Sequence, residues 1–90
     1  MFKAIGDCRR SVEEQRYIWA ALQVFGRLPP PRREKIRALI GRVARTPTEG
    51  RALYDVTVRG LTPQSVSRRT GLPLLRLYEL RRAFYDQFEI

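Results

Sequence analysis

Apolar residues recur at helical spacing through most of the chain, and no stretch alternates between apolar and polar in the manner of a strand. The first helical segment opens with Ser11-Val-Glu-Glu14, which has the form of a capping box. Gly26 and the prolines at 29–31 should end this helix, because prolines cannot donate to a helical ladder. The apolar residues that follow the cap share one face, widened by Val12 and Trp19: Ile18, Ala21, Leu22 and Phe25.

The prolines also predict the start of a second helix, from about Pro31 to Arg45. We favour a rigid turn here over a polyproline ligand for the groove of another protein. The apolar stripe of this helix is narrow and consists of Ile36, Leu39, Ile40 and Val43. Its other faces are basic apart from Glu34, and they carry Arg32, Arg33, Lys35, Arg37, Arg42 and Arg45. That basic surface is either merely solvated or turned toward phosphates, and the pattern favours neither.

Three more sequence signals for the start of a helix follow at short intervals. Thr46-Pro47-Thr-Glu49 reads as a second capping box and predicts a third helix that ends at Gly60. Thr62-Pro63 starts a fourth helix, and a last one should extend from Pro73 to about Phe88. We therefore predict an all-α fold of about five helices in a single domain over residues 1–90. Within it, residues 11–45 form an N-terminal helical pair packed on a three-helix unit at 47–88.

The corner at residues 63–80 has the spacing of a helix-turn-helix. Such a unit needs a small residue where its two helices cross, a glycine four positions later and an apolar anchor six positions beyond that. Ser67, Gly71 and Leu77 meet these three needs. The remaining core of the unit is expected to come from Leu53, Val56, Val66, Leu72 and Leu80.

The charge of the chain is unusual, at a net +9 that arises from 18 basic against 9 acidic residues, and 16 of the basic residues are arginines. Such an excess favours a polyanionic partner, and the planar guanidinium suits phosphate and guanine edges. The chain has no histidine and a single cysteine, Cys8, which we expect to be an unreactive free thiol. These absences argue against a zinc site, against catalysis and against any cofactor. No signal-like or membrane-spanning segment stands out, so a cytoplasmic location without membrane contact is expected.

The segment Gly60-Leu-Thr-Pro-Gln-Ser-Val-Ser-Arg-Arg-Thr-Gly-Leu72 resembles the helix-turn-helix of phage and mobile-element regulators. It is similar to sigma-factor region 4 and to the TrfB/KorA type of plasmid repressor, and the resemblance covers about residues 61–88. It implies that the first helix of the unit lies near the DNA backbone and that the second enters the major groove. The DNA contacts that the resemblance implies fall on Gln64, Arg68, Arg69, Arg76, Arg81 and Arg82.

The beginning of the last helix has a different character. Leu74 and Leu75 stand where polar base-reading side chains are usual, and Tyr78 and Tyr85 continue an apolar stripe that is more typical of a protein contact. These four residues form the candidate protein interface. A homodimer is expected, formed either by this stripe or by the N-terminal face with Val12, Trp19, Leu22 and Phe25.

Two hypotheses of different class therefore stand. The leading one is a small transcriptional regulator of a phage or mobile element that binds double-stranded DNA. The alternative is a protein-interaction module, such as a phage-encoded, anti-CRISPR-like inhibitor of a host defence nuclease. RNA binding on a ribonucleoprotein ranks third, because no aromatic sheet or glycine-rich clamp for single strands is present.

Overall fold

The computed structural model describes residues 2–90, and all of its regular structure is helical. The five α-helices are α1 (Val12–Gln23), α2 (Pro30–Val43), α3 (Pro47–Thr57), α4 (Pro63–Thr70) and α5 (Leu74–Gln87). A single 3₁₀ turn at Phe25–Arg27 joins α1 to α2. The predicted all-α class and the five helices are thereby confirmed. Among residues 2–90, no helix is both long and apolar enough to cross a membrane.

The helix starts follow from local chemistry. The Ser11 hydroxyl accepts a hydrogen bond from the Glu14 amide at 3.1 Å, and the Glu14 carboxylate accepts one from the Ser11 amide at 3.0 Å, so the first capping box is complete. All six prolines of the chain lie at the N-cap or in the first turn of a helix, at positions 29, 30, 31, 47, 63 and 73. There the missing N–H would have had no partner within the helix.

The second capping box forms only in part, which corrects the sequence prediction. The Thr46 hydroxyl accepts from the Glu49 amide at 3.1 Å as expected. The Glu49 carboxylate, however, accepts from the amide of Arg45 at 2.9 Å. Because Ala44 is already extended (ψ 140°), α2 ends at Val43, two residues earlier than predicted.

The core is one continuous apolar cluster to which all five helices contribute. Helix α5 is central, since it packs against α2, α3 and α4. The predicted anchors Leu53, Val66, Leu77 and Leu80 are almost completely buried. Ile18 and Leu22 bring α1 into the same cluster, whereas Val12 is 52% exposed and does not extend that face as predicted. Leu22 and Phe25 are buried, so they cannot form the proposed dimer contact.

The corner between α4 and α5 has the geometry that its sequence predicts. Gly71 lies in the left-handed region, with φ 80° and ψ 0°, and its amide donates to the Ser67 carbonyl at 2.9 Å. The Ser67 hydroxyl then donates to the carbonyl of Leu72 at 2.6 Å. The small side chain at 67 thus both permits the turn and fixes it, and α5 leaves the corner in a defined direction.

The segment before α1 is held by polar contacts that sequence patterns did not reveal. Gln15 is buried, and its side chain accepts from the Ile5 amide at 2.7 Å and donates to the Arg10 carbonyl at 3.0 Å. The Asp86 carboxylate of α5 accepts from the amide of Arg9 at 2.8 Å. It also lies 3.2 Å from the Cys8 sulfur, and burial raises the pKa of that thiol. The N-terminal segment is therefore fastened to the last helix.

We expect Gly71→Ala to lower the free energy of unfolding by about 1–2 kcal/mol, because an alanine pays a backbone penalty at positive φ. A Cβ at Gly71 would meet no atom within 4 Å, so the loss would report backbone conformation alone. Gly41→Ala is the matched control: Gly41 is exposed inside α2, where a Cβ is equally free of contacts. It should stabilise by roughly 0.5–1 kcal/mol. Urea unfolding measures both, and equal effects of the two substitutions would contradict the assigned turn.

Candidate nucleic-acid interface

Exposed and half-buried side chains on the outer side of α4 and α5 form a surface that we call the helix-turn-helix face. Its members on α5 follow helical spacing of three, four and seven, which places them on one side of that helix. The face comprises Gln64 and Arg68 on α4, together with Leu75, Tyr78, Glu79 and Arg82 on α5.

Tyr78 lies at the centre of this face and connects the two helices. Its hydroxyl accepts a hydrogen bond from the Gln64 side chain at 3.1 Å. The Arg81 guanidinium lies 5.3 Å from the centre of its ring, a cation–π distance. The Nε of Arg81 is buried and has no hydrogen-bond partner among residues 2–90. Gln64 and Arg81, both predicted DNA contacts, are thus positioned by the same aromatic ring.

Arg76 does not occupy the position that the sequence suggested. Its guanidinium forms a two-pronged ion pair with Glu49 of α3, with Nε–Oε2 at 2.8 Å and Nη2–Oε1 at 3.0 Å. A further carboxylate, that of Glu79, lies 3.6 Å from Nη1. Because its charge is already matched inside the fold, Arg76 is a structural residue and is not a free phosphate ligand. The prediction for this residue is corrected accordingly.

The ion pair changes the ionisation of both groups. The hydrogen bonds from Arg76, supported by the Arg45 amide, lower the pKa of Glu49 from its ordinary value near 4.5 to about 2. The same bonds raise the pKa of Arg76. Glu49 is only 8% exposed, so an unpaired charge there would be costly. The pair therefore fastens the first turn of α3 to the first turn of α5.

Arg69 is also engaged by a carboxylate, since its Nη2 lies 2.6 Å from Oδ2 of Asp55. The other oxygen of Asp55 accepts from Arg59 at 3.1 Å. Arg68 and Arg82 differ from these residues, because no carboxylate of residues 2–90 lies within salt-bridge distance of either one. Of the five predicted arginine contacts, Arg68 and Arg82 are thus the two that neither a carboxylate nor an aromatic ring holds; Arg68 is exposed and Arg82 is half-buried.

The candidate protein interface is also divided by the structure. Leu75 is 70% exposed, the most exposed large apolar side chain among those that the structure describes. Leu74 and Tyr78 are half-buried. Tyr85 is only 5% exposed and packs edge-on against Phe84, and burial raises its pKa to about 12. Tyr85 is therefore a core residue, and its assignment to the interface was wrong.

Several functional candidates escaped the sequence reasoning. Glu49 and Asp55 each hold an arginine of another helix, and only the Asp55–Arg59 spacing of four gave any local signal. Arg51 on α3 and Arg59, just beyond the end of α3, line a groove with Arg37 and Arg69, and no helical-face pattern pointed to it. Within residues 2–90, no group of three acidic, cysteine or histidine side chains is placed to hold a metal ion.

No protein-family model, curated protein or solved structure matches this chain.

We expect Glu49→Gln to lower the free energy of unfolding by about 3 kcal/mol at pH 7, because it leaves Arg76 without its buried partner. A carboxylate whose pKa is lowered on folding stabilises the protein above its unfolded pKa and loses that effect as pH falls. The difference between wild type and variant should therefore shrink between about pH 4.5 and pH 2. Urea unfolding across this range measures it.

Glu34→Gln serves as the control for this prediction, because Glu34 pairs with Arg37 at 3.0 Å on the exposed surface of α2. Its loss should cost less than about 0.5 kcal/mol. A pH-independent deficit in Glu49→Gln would contradict the role given to the ion pair.

Proposed function

We propose that this chain binds double-stranded DNA through its helix-turn-helix unit, as a small regulator of phage or mobile-element type. The observation that carries the proposal is the α4–Gly71–α5 corner in a chain whose net charge is +9. In proteins with such a corner, the first helix lies over the DNA backbone and the second enters the major groove. The helices here are of suitable length, at 8 and 14 residues.

Phosphate contacts supply most of the affinity in this proposal. Arg68 on α4 and Arg82 on α5 have guanidinium groups without a carboxylate partner within residues 2–90. Each one that meets a phosphate releases condensed counterions. Arg81 contributes a third charge, and its guanidinium lies over the Tyr78 ring. Binding should accordingly weaken steeply as salt rises.

The composition of the α5 surface supports modest base discrimination. Leu75 can contact a thymine methyl group but donates no hydrogen bond, and Glu79 can only accept, for example from the cytosine N4 amino group. Among the α5 members of this face, Arg82 is the side chain that suits a guanine edge. A two-fold dimer would double these contacts, as is common for helix-turn-helix proteins. We therefore propose a duplex binder whose affinity depends more on the backbone than on the sequence.

The double substitution Arg68→Ala, Arg82→Ala should weaken binding to a 20-base-pair duplex. It should also flatten the slope of log affinity against log salt by about 2, or roughly 0.9 for each lost phosphate contact. Fluorescence anisotropy at several salt concentrations measures both quantities. The matched control is Arg9→Ala, Arg27→Ala, which removes the same charge from exposed positions outside α4 and α5. If both double variants flatten the slope equally, the assignment to the helix-turn-helix face fails.

A second candidate function is a protein contact made by α5, and the exposure of Leu75 specifically favours it. An isolated apolar side chain on a surface is ordinary, but Leu75 stands beside the Tyr78 ring and the half-buried Leu74. Aromatic and aliphatic side chains of this kind often anchor protein interfaces. A second copy of the chain is the partner that can be tested with the purified protein alone.

If the Leu75 surface joins two copies, Leu75→Ser should raise the dimer dissociation constant about tenfold, which is the loss expected for exposing one buried apolar side chain. Sedimentation equilibrium measures this constant. Val24→Ser is the control, since Val24 is an exposed apolar residue that lies between α1 and the 3₁₀ turn. Unchanged association of Leu75→Ser would remove α5 from the dimer contact.

A further inference from the structure

A second basic surface lies away from α5, in an open groove of about 620 Å³ between α2, α3 and the end of α4. Four arginines line it together with a single carboxylate; three of them lie on α2, α3 and α4, and the fourth lies in the turn after α3. Tyr54 and Thr70 also line the groove. We name this surface the arginine groove, and its arginines are Arg37, Arg51, Arg59 and Arg69.

Two of these arginines are held in place by one shared side chain. Asp55 binds Arg59 through Oδ1 at 3.1 Å and Arg69 through Oδ2 at 2.6 Å. The Asp55 side chain is only 15% exposed, whereas the side chains of both arginines remain about half exposed. A single negative charge thus orients two positive ones, and most of the five N–H donors of each arginine stay free for another acceptor.

Arg37 is oriented by a different pair of contacts. Its guanidinium lies 5.3 Å from the centre of the Phe25 ring and 3.0 Å from the Glu34 carboxylate. Phe25 in turn meets Tyr54 edge-to-face, with ring centres 5.9 Å apart. Arg51 completes the set, and no carboxylate among residues 2–90 lies within salt-bridge distance of it. Neighbouring side chains therefore already orient three of the four arginines in the groove.

We infer that the arginine groove is a phosphate-binding site, separate from the helix-turn-helix face. Guanidinium groups bind phosphate oxygens through paired, charge-assisted hydrogen bonds, and side chains that are already ordered lose less entropy on binding. The assignment of these phosphates to a nucleic-acid backbone rests on the proposed function, but the phosphate site itself does not. On a backbone, the groove would give the protein a second run of contacts that does not read bases.

Inorganic pyrophosphate and a 20-base-pair duplex are suitable probes, and the side-chain Nε–Hε signals of the arginines report the site in ¹⁵N-labelled protein. Pyrophosphate should shift the signals of Arg37, Arg51, Arg59 and Arg69 more than that of Arg42, which lies on α2 outside the groove. Arg51→Ala should weaken pyrophosphate binding at least about fivefold, and Arg42→Ala less than twofold. Both residues are exposed on helices and lack a carboxylate partner within residues 2–90, so the pair is matched.

Equal shifts of Arg42 and Arg51, or equal losses in the two variants, would overturn the site in favour of diffuse attraction. If the protein binds pyrophosphate in the groove but does not bind the duplex, the phosphate site is supported and the proposed function is wrong. If duplex binding depends on Arg68 and Arg82 but not on Arg51, whereas pyrophosphate still fills the groove, the ligand is a small phosphate compound. If duplex affinity also falls in Arg51→Ala, the groove contacts the backbone.

Discussion

The carboxylate of Glu49 is the point at which three segments of the chain meet. It accepts the amide of Arg45 just beyond α2, belongs to the first turn of α3, and forms a paired bond with Arg76 in the first turn of α5. Because these groups are largely removed from water, the attraction is less screened than on the surface, and either partner alone would be an unmatched charge. Together with the Gly71 corner and the packing of α5 against α2, α3 and α4, this contact holds α5 and its outer face in place.

That geometry divides the arginines into three kinds. Arg76 stabilises the fold, since its charge is paired with that of Glu49. Arg59 and Arg69 are shared between structure and surface, because Asp55 fixes them without covering them. Arg68 and Arg82 have no carboxylate partner within residues 2–90; Arg68 is exposed and Arg82 is half-buried. The net charge of +9 is thus not spread evenly, because some arginines are paired with acids of the fold and others have no acid within salt-bridge distance.

Local chemistry explains why some features were predictable. The Ser11 cap and the Gly71 turn each depend on a few neighbouring residues, and both have the predicted geometry. The Glu49–Arg76 pair joins residues 27 positions apart, and no periodic pattern encodes such a contact. Tyr85 was misassigned for a related reason: α5 is packed against α2, α3 and α4, so a face that spacing alone marks as outward is covered by tertiary neighbours. The arginine groove also combines residues from separate helices and was missed.

The placement of every proline at the start of a helix also affects the denatured chain. A pyrrolidine ring narrows the range of φ at its own residue and disfavours helical geometry at the residue before it, whether or not the protein is folded. The unfolded ensemble therefore contains fewer conformations, and less conformational entropy is lost on folding. For a 90-residue domain with a small interior and much self-repulsion, stability is gained in this way without a single additional contact in the native state.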